Sequence, residues 1–408
     1  MAIWRPFTQE KTASPSVKIS RGSGAHLFAE DGRQYIDMIS SWWVNILGHA
    51  NKEIADAIYK QACILEHVIF AGFSHAPAEE LCDKLAGFLP KQLRRFFFSD
   101  DGSTAVEVAL KMAYQYFKNQ GISGRNIYIN LEGAYHGDTI GAMSAAGNDS
   151  QYHSTFSEFF FKTFTVSFPN TIEEEEASLE KLKCFLDARA EHVCALIVEP
   201  LVQGAAGMKM YRAEFLEKIV DEVRKYGILV IFDEVMTGFF RTGTMFAMDQ
   251  TGVIPDLICL SKGITGGFLP LALTIATDSV YEAFYSDDWK KAFIHGHSYT
   301  ANPIACAAAI KSLEILHRAE TQSQILNIAK THRDCLAEGL PNVTSKRTLG
   351  TIAAFEFESS QQANDVSAHM FRNGVIVRPL QNTMYFIPPY CISVDDLQYA
   401  YSLILRDE

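Results

Sequence analysis

Along the chain, short apolar runs alternate with stretches in which apolar positions recur every three or four residues. The runs at residues 95–99, 126–131, 195–199, 228–233 and 257–261 have strand length and end in polar or turn-forming residues. Between them, residues 104–116 place Ala105, Val108, Ala109, Met112 and Tyr116 on one helical face, and residues 212–226 read the same way. Strand-helix alternation predicts an α/β fold with a mostly parallel sheet covered on both sides, whose ligands bind beyond the carboxyl ends of the strands. After a helix at about residues 303–317 the strands shorten (351–357, 375–378, 385–387), which predicts a smaller α+β lobe with its boundary hidden in that helix. The acidic run at 173–176 reads as a solvated helix start.

Length sharpens this division. A chain of 408 residues exceeds what one core usually fills, so two domains are expected. The composition, 48% hydrophobic and 21% charged, is that of a folded globular chain. A formal net charge of −12 without a basic patch argues against nucleic acid and against anionic membrane surfaces as partners. The eight cysteines form no C-x-x-C pair and several lie in apolar runs, so they read as buried thiols of a reducing compartment. The start of the sequence lacks a signal-peptide pattern, and no apolar run reaches the roughly 18 residues of a membrane span. A cytoplasmic protein is expected.

Chemistry is therefore sought just after each strand. Following residue 99 comes Asp100-Asp101-Gly102-Ser103-Thr104, leading into a helix whose unpaired N–H groups would cup a phosphate. On these residues alone an ordinary helix start with Ser103 as N-cap is the simpler reading. After residue 131 comes Gly133-Ala134-Tyr135-His136-Gly137-Asp138, where Tyr135 would offer a ring face to a flat heterocycle and His136 and Asp138 would fix its surroundings by hydrogen bonds. The run at 228–233 delivers Asp233 to a strand end. It resembles the metal-binding strand of a nucleotide triphosphatase, but G-x-x-x-x-G-K-[ST] is absent. The dinucleotide fingerprint is absent too, since residues 22–27 lack its third glycine and follow no clear strand.

The last strand end is Ser261-Lys262-Gly263. A lysine at the tip of an apolar strand is unusual, and desolvation makes such an amine a nucleophile suited to Schiff-base formation. A phosphate cup, a stacking aromatic, an acid for a pyridinium nitrogen and a buried lysine are together what pyridoxal 5′-phosphate needs. No histidine or cysteine spacing suggests a metal, and no G-x-S-x-G elbow a serine nucleophile.

The combination 231–235 (Ile-Phe-Asp-Glu-Val), 237–243 (Thr-Gly-Phe-Phe-Arg-Thr-Gly) and 261–263 (Ser-Lys-Gly) resembles the class III aminotransferases of fold type I, over nearly the whole chain from Trp4 to about Tyr390. Residues 3–8, 40–45, 134–139 and 295–299 are similar to one branch of that class, whose acceptor carries a carboxylate far from its reacting ketone. The resemblance implies an N-terminal segment 1–45 joining the small domain, a cofactor-binding domain 46–308 and a C-terminal part 309–408, so that the small domain is built from both termini. It implies that Lys262 holds the cofactor and moves protons, Asp233 pairs with the pyridine nitrogen, Tyr135 lies beside the ring, and Gly102 and Ser103 hold the phosphate. It also implies an obligate homodimer with shared active sites, His297 and Ser298 serving the neighbouring subunit and Gly296 lining that site. Substrate recognition falls to Trp42, Arg378, Tyr135 and Phe7, the last replacing a tyrosine of the family pattern and so losing a hydroxyl. The turn at residues 296–298 resembles the branch that uses lysine as amino donor, whereas Trp42-Trp43 favours adenosylmethionine.

Overall fold

The protein is described by a computed structural model covering residues 3–147 and 154–404. The chain enters through an antiparallel ribbon of β1 (Ile19–Ser23), β2 (His26–Ala29) and β3 (Gln34–Asp37). Residues 22–27, read above as following no clear strand, hold the paired ends of β1 and β2 and the turn between them, where Gly24 takes φ +57°. The main sheet follows in chain order as β4 (Leu93–Ser99), β5 (Ile127–Leu131), β6 (Thr163–Val166) and β7 (Val193–Val198). After a short ribbon of β8 (Val202–Gln203) and β9 (Lys209–Met210) it resumes with β10 (Leu229–Asp233), β11 (Leu257–Leu260) and β12 (Ala272–Thr277). The seven strands lie in the order β4-β12-β11-β10-β7-β5-β6, and β12 runs against both of its neighbours.

The continuous apolar character of the central strands follows from burial on both faces. Along β7, Ala195 and Ile197 join one core with Ala105, Ala109 and Ala113 of the Gly102–Asn119 helix. The alternate residues Leu196 and Val198 join another with Phe215, Ile219 and Val220 of the Ala213–Arg224 helix. Successive strand side chains point to opposite faces, so each strand serves two cores at once.

The Pro303–Leu316 helix, in which the domain boundary is expected, is continuous. Beyond it, β13 (Val343–Leu349), β14 (Ile352–Phe357), β15 (Val375–Ile376) and β16 (Thr383–Phe386) build the smaller lobe. Here β15 pairs in parallel with β3 rather than with its chain neighbours, so both ends of the chain share one sheet. That pairing also shortens the strand expected at 375–378: β3 ends at Asp37, opposite Ile376, and leaves Val377 and Arg378 without a ladder partner in that sheet.

Two further expectations change. The acidic run opens the Ile172–Arg189 helix, but Glu175 is buried and its carboxylate is compensated there by Arg212 Nε, which donates to it at 2.8 Å. All eight cysteines are free thiols, yet Cys63 and Cys184 are exposed while Cys194, Cys259 and Cys306 are buried. No helix among the described residues is long and apolar enough to cross a membrane.

Candidate active site

The carboxyl ends of β4, β5, β7, β10 and β11 open into one cavity of about 620 Å³. Its lining brings together Gly102, Ser103, Tyr135, Asp233 and Lys262 with Phe7, Trp42 and Arg378, joining eight residues singled out in the sequence. The turn at 296–298 lies outside this lining: Gly296 and Ser298 are exposed, and His297 Nδ1 stands 3.3 Å from Asp100 Oδ2 at the cavity's edge.

One end of the cavity is a cradle. The Gly102–Asn119 helix is capped by Asp101, which accepts from Thr104 N at 3.0 Å, while Thr104 Oγ1 accepts from Asp101 N at 3.0 Å. This reciprocal pair replaces the expected Ser103 cap. Ser103 Oγ instead accepts from Asp138 N at 3.1 Å, which leaves its hydroxyl proton free to donate. The N–H groups of Gly102 and Ser103 precede the first intrahelical bond, from Ala105 N to Asp101 O, at the positive end of the helix. Two glycines keep the cradle open. A Cβ on Gly102 would stand 2.6 Å from Val235 Cγ1, and one on Gly137 would stand 2.0 Å from Ser103 Oγ.

The acid lies deeper. Asp233 is 4% exposed; its Oδ1 accepts from Val235 N at 3.1 Å and its Oδ2 lies 2.8 Å from His136 Nδ1. His136 Nε2 is buried without a hydrogen-bond partner. The neighbouring strand end supplies Glu199, which accepts from Tyr135 N at 3.1 Å and Gly204 N at 3.0 Å. Burial pushes the Glu199 carboxyl up to about 7, against the pull of His136 and with the push of Asp233.

Lys262 opens a 3₁₀ turn directly after β11, with φ +45°. Its Nζ rests 4.6 Å from the centroid of the Trp43 ring. Burial holds its ammonium below the ordinary lysine range; Asp233 and Glu199 oppose that shift and the buried Arg241 adds to it. Although the residue is partly accessible through the cavity, its amine is enclosed by these groups.

The remaining wall comes from the entry segment. Ser40, Ser41, Trp42 and Trp43 all have positive φ (48°, 46°, 72° and 73°), a left-handed turn of residues that each bear a side chain. Such backbone costs about 1–2 kcal/mol per residue. The turn sends Trp43 inward to Lys262 and Trp42 outward, where its ring lies 4.1 Å from the Arg378 guanidinium carbon and 5.3 Å from the Phe7 ring. Arg241, 1% exposed, fixes the turn's end by donating to Trp43 O at 3.2 Å, and it joins the small lobe by donating to Pro388 O at 2.8 Å.

Glu199, Trp43 and Arg241 went unassigned in the sequence reading. Glu199 carries the same signal as Asp233, a carboxylate directly after an apolar strand, whereas Trp43 and Arg241 act through backbone geometry that no spacing reveals.

These parts fit pyridoxal phosphate: an open cradle at a helix start suits a phosphate, and a buried acid and an amine face one cavity. The sequence profile of the family described as "Aminotransferase class-III" matches residues 7–406. The chain is 47% identical to adenosylmethionine-8-amino-7-oxononanoate aminotransferase of Synechococcus elongatus, over 100% of this chain and 98% of that protein. Its structure superposes on that of the adenosylmethionine-8-amino-7-oxononanoate aminotransferase of Methanocaldococcus jannaschii with a TM-score of 0.92 and 34% identity, covering 98% of this chain and 96% of the other. An amine transaminase from an uncultivated Pseudomonas species, solved in its PLP-bound form, superposes with a TM-score of 0.90 at 29% identity, covering 99% and 97%. The chain belongs to the class III aminotransferases, enzymes that work with pyridoxal phosphate.

Proposed function

We propose that this chain transfers an amino group from S-adenosylmethionine to 8-amino-7-oxononanoate, giving 7,8-diaminononanoate, a step of biotin biosynthesis. The observation that carries this reading is the placement of Arg378 on the Trp42 ring, in the wall of the same cavity that holds Lys262 and Trp43. A guanidinium holds a carboxylate through two parallel hydrogen bonds, so Arg378 selects a long acid that reaches Lys262 with its ketone. The relatives from Synechococcus and Methanocaldococcus, both bearing the name of this reaction, support the same substrate.

Gly102 and Ser103 would hold the cofactor's phosphate, Asp233 its ring nitrogen, and Tyr135 its ring. When bound, pyridoxal phosphate supplies an electron sink for the pair left on carbon as a proton departs. Lys262 Nζ, uncharged at lower pH than an exposed lysine, takes that proton and returns it. Asp233, held in place by the N–H of Val235 and the ring of His136, would pair with the ring nitrogen. Trp42, Trp43, Tyr135 and Phe7 give the cavity aromatic faces, to which a sulfonium donor is attracted. Phe7 lacks the hydroxyl of the family's tyrosine and contributes its ring alone.

The protein works as a homodimer in the cytoplasm, with residues 296–298 of each subunit completing the partner's phosphate site. The donor is tested by incubating holoenzyme with adenosylmethionine or lysine labelled at the amino nitrogen, adding 8-amino-7-oxononanoate or 2-oxoglutarate, and measuring label in the products by mass spectrometry. Label passing from adenosylmethionine to diaminononanoate is expected. Label from lysine alone would replace the donor, and transfer to 2-oxoglutarate alone would overturn the acceptor.

A further inference from the structure

The left-handed turn that carries both tryptophans does not persist on its own account, because residues with a Cβ leave that region unless surroundings hold them. Its ends are tied: Ser40 Oγ donates to Ile387 O at 2.7 Å, and Arg241 donates to Trp43 O at 3.2 Å. Its middle is tied by Asp37. Ser41 Oγ donates to Asp37 Oδ2 at 2.8 Å, and Ile39 N donates to Asp37 Oδ1 at 3.2 Å.

Asp37 is 1% exposed and has a second support behind it. His49 Nε2 lies 2.9 Å from the same Oδ2, the other His49 nitrogen lies 2.8 Å from Asn45 Nδ2, and Asn45 N donates to Ser40 O at 3.0 Å. The network thus leaves the turn at Ser41 and returns to it at Ser40. Asp37 also ends β3 opposite Ile376, two residues before Arg378, so one carboxylate stands where the tryptophan turn and the arginine strand meet.

We propose that Asp37, backed by His49, is a positioning residue of the substrate pocket. Acting through Ser41, it holds the left-handed turn and thereby sets Trp42 against Arg378 and Trp43 against Lys262 together. This deepens the proposed function and rests on it only for the identity of the acceptor.

Glycine separates a clamp from any other role for this carboxylate, since it takes positive φ without strain. If Asp37 serves to hold the turn, Ser41→Gly should make good its loss. The comparison uses Asp37→Ala and Asp37→Ala/Ser41→Gly, in a background where Trp4 and Trp289, the other two of the four tryptophans, are phenylalanine. In the cofactor-free protein, acrylamide quenching reports how far Trp42 and Trp43 have left their places. In the holoenzyme, KM and kcat for the keto acid report the pocket. We expect Asp37→Ala to increase quenching and to lower kcat/KM by about tenfold, mainly through KM, the scale of one lost contact. The added Ser41→Gly should restore most of both. Unchanged quenching in Asp37→Ala, or loss that Ser41→Gly does not restore, would overturn the clamp. Should Asp37→Ala fail to fold, the same pair built on Asp37→Asn decides by the same criterion. Quenching is read without substrate, so a wild-type enzyme inactive on the keto acid would sink the proposed reaction and leave the clamp to be judged by itself.

Discussion

Lys262 shows how one residue's chemistry depends on what encloses it. An exposed lysine holds its proton to about 10.4; here burial disfavours the charged form more than Asp233 and Glu199 restore it, so the neutral amine is reached at lower pH. Acetic anhydride labelling of the cofactor-free protein across pH, read peptide by peptide, should show Lys262 reaching half-reactivity below the exposed lysines. A half-point equal to theirs would remove the burial argument. Lys262→Ala should abolish turnover without unfolding the protein, since what the amine contributes to the fold is a contact with the Trp43 ring. Arg378 poses the complementary case. A surface arginine would contribute little, but Arg378 lies over Trp42 in the cavity wall. Arg378→Ala should weaken the acceptor half-reaction by roughly 1.5–3 kcal/mol, the scale of a hydrogen bond to a charged group, and the donor half-reaction less. Equal losses in both, measured by single-turnover kinetics, would rule out a dedicated carboxylate contact.

At the level of elements, the cradle depends on how closely a helix start approaches a strand end. Gly102→Ala would place a Cβ 2.6 Å from Val235 Cγ1, and Val235 N is the donor that holds Asp233. The strain should therefore reach both ends of the cofactor site. We expect Gly102→Ala to weaken pyridoxal phosphate binding by about 1–3 kcal/mol, the usual cost of overpacking, and Val235→Ala to recover part of it in the double variant. A titration showing unchanged affinity would mean the helix start moves away freely. The strands that carry this chemistry were readable because burial on both faces makes them continuous apolar runs ending in Asp233, Lys262 and the 100–104 turn. The Ser103 cap was misplaced because Asp101 and Thr104 satisfy one another, a choice that depends on backbone angles. The left-handed Ser40–Trp43 turn left no trace at all: without glycine, nothing in its residue types announces positive φ, and Asp37 and His49, which hold it, look like ordinary polar positions.

For the whole molecule, a single chain leaves two things unfinished. The cavity's cradle adjoins Asp100 and Asp101, negative charges poorly suited to a phosphate, while the turn bearing Gly296 and Ser298 faces solvent. In the sequence flanking that turn Tyr285, Trp289, Ile294 and Tyr299 are 63–74% exposed, large apolar side chains left to water. A second copy covering this face would bury those rings and bring each turn to the other's cavity, since a two-fold interface gives both partners the same contacts. The arrangement is open to a direct test. Lys262→Ala protomers keep an intact turn, and protomers with His297→Ala and Ser298→Ala keep an intact lysine; each homodimer should be nearly inactive. If the turn acts across the interface, a mixed dimer has one complete site, with the lysine of one protomer and the turn of the other. Random exchange at equal amounts makes half the dimers mixed, so about one quarter of wild-type activity should return. If the turn serves its own subunit, every site in the mixture lacks one part. With subunit exchange verified by native mass spectrometry, activity that stays at the level of the two parents would place residues 296–298 in the site of their own chain.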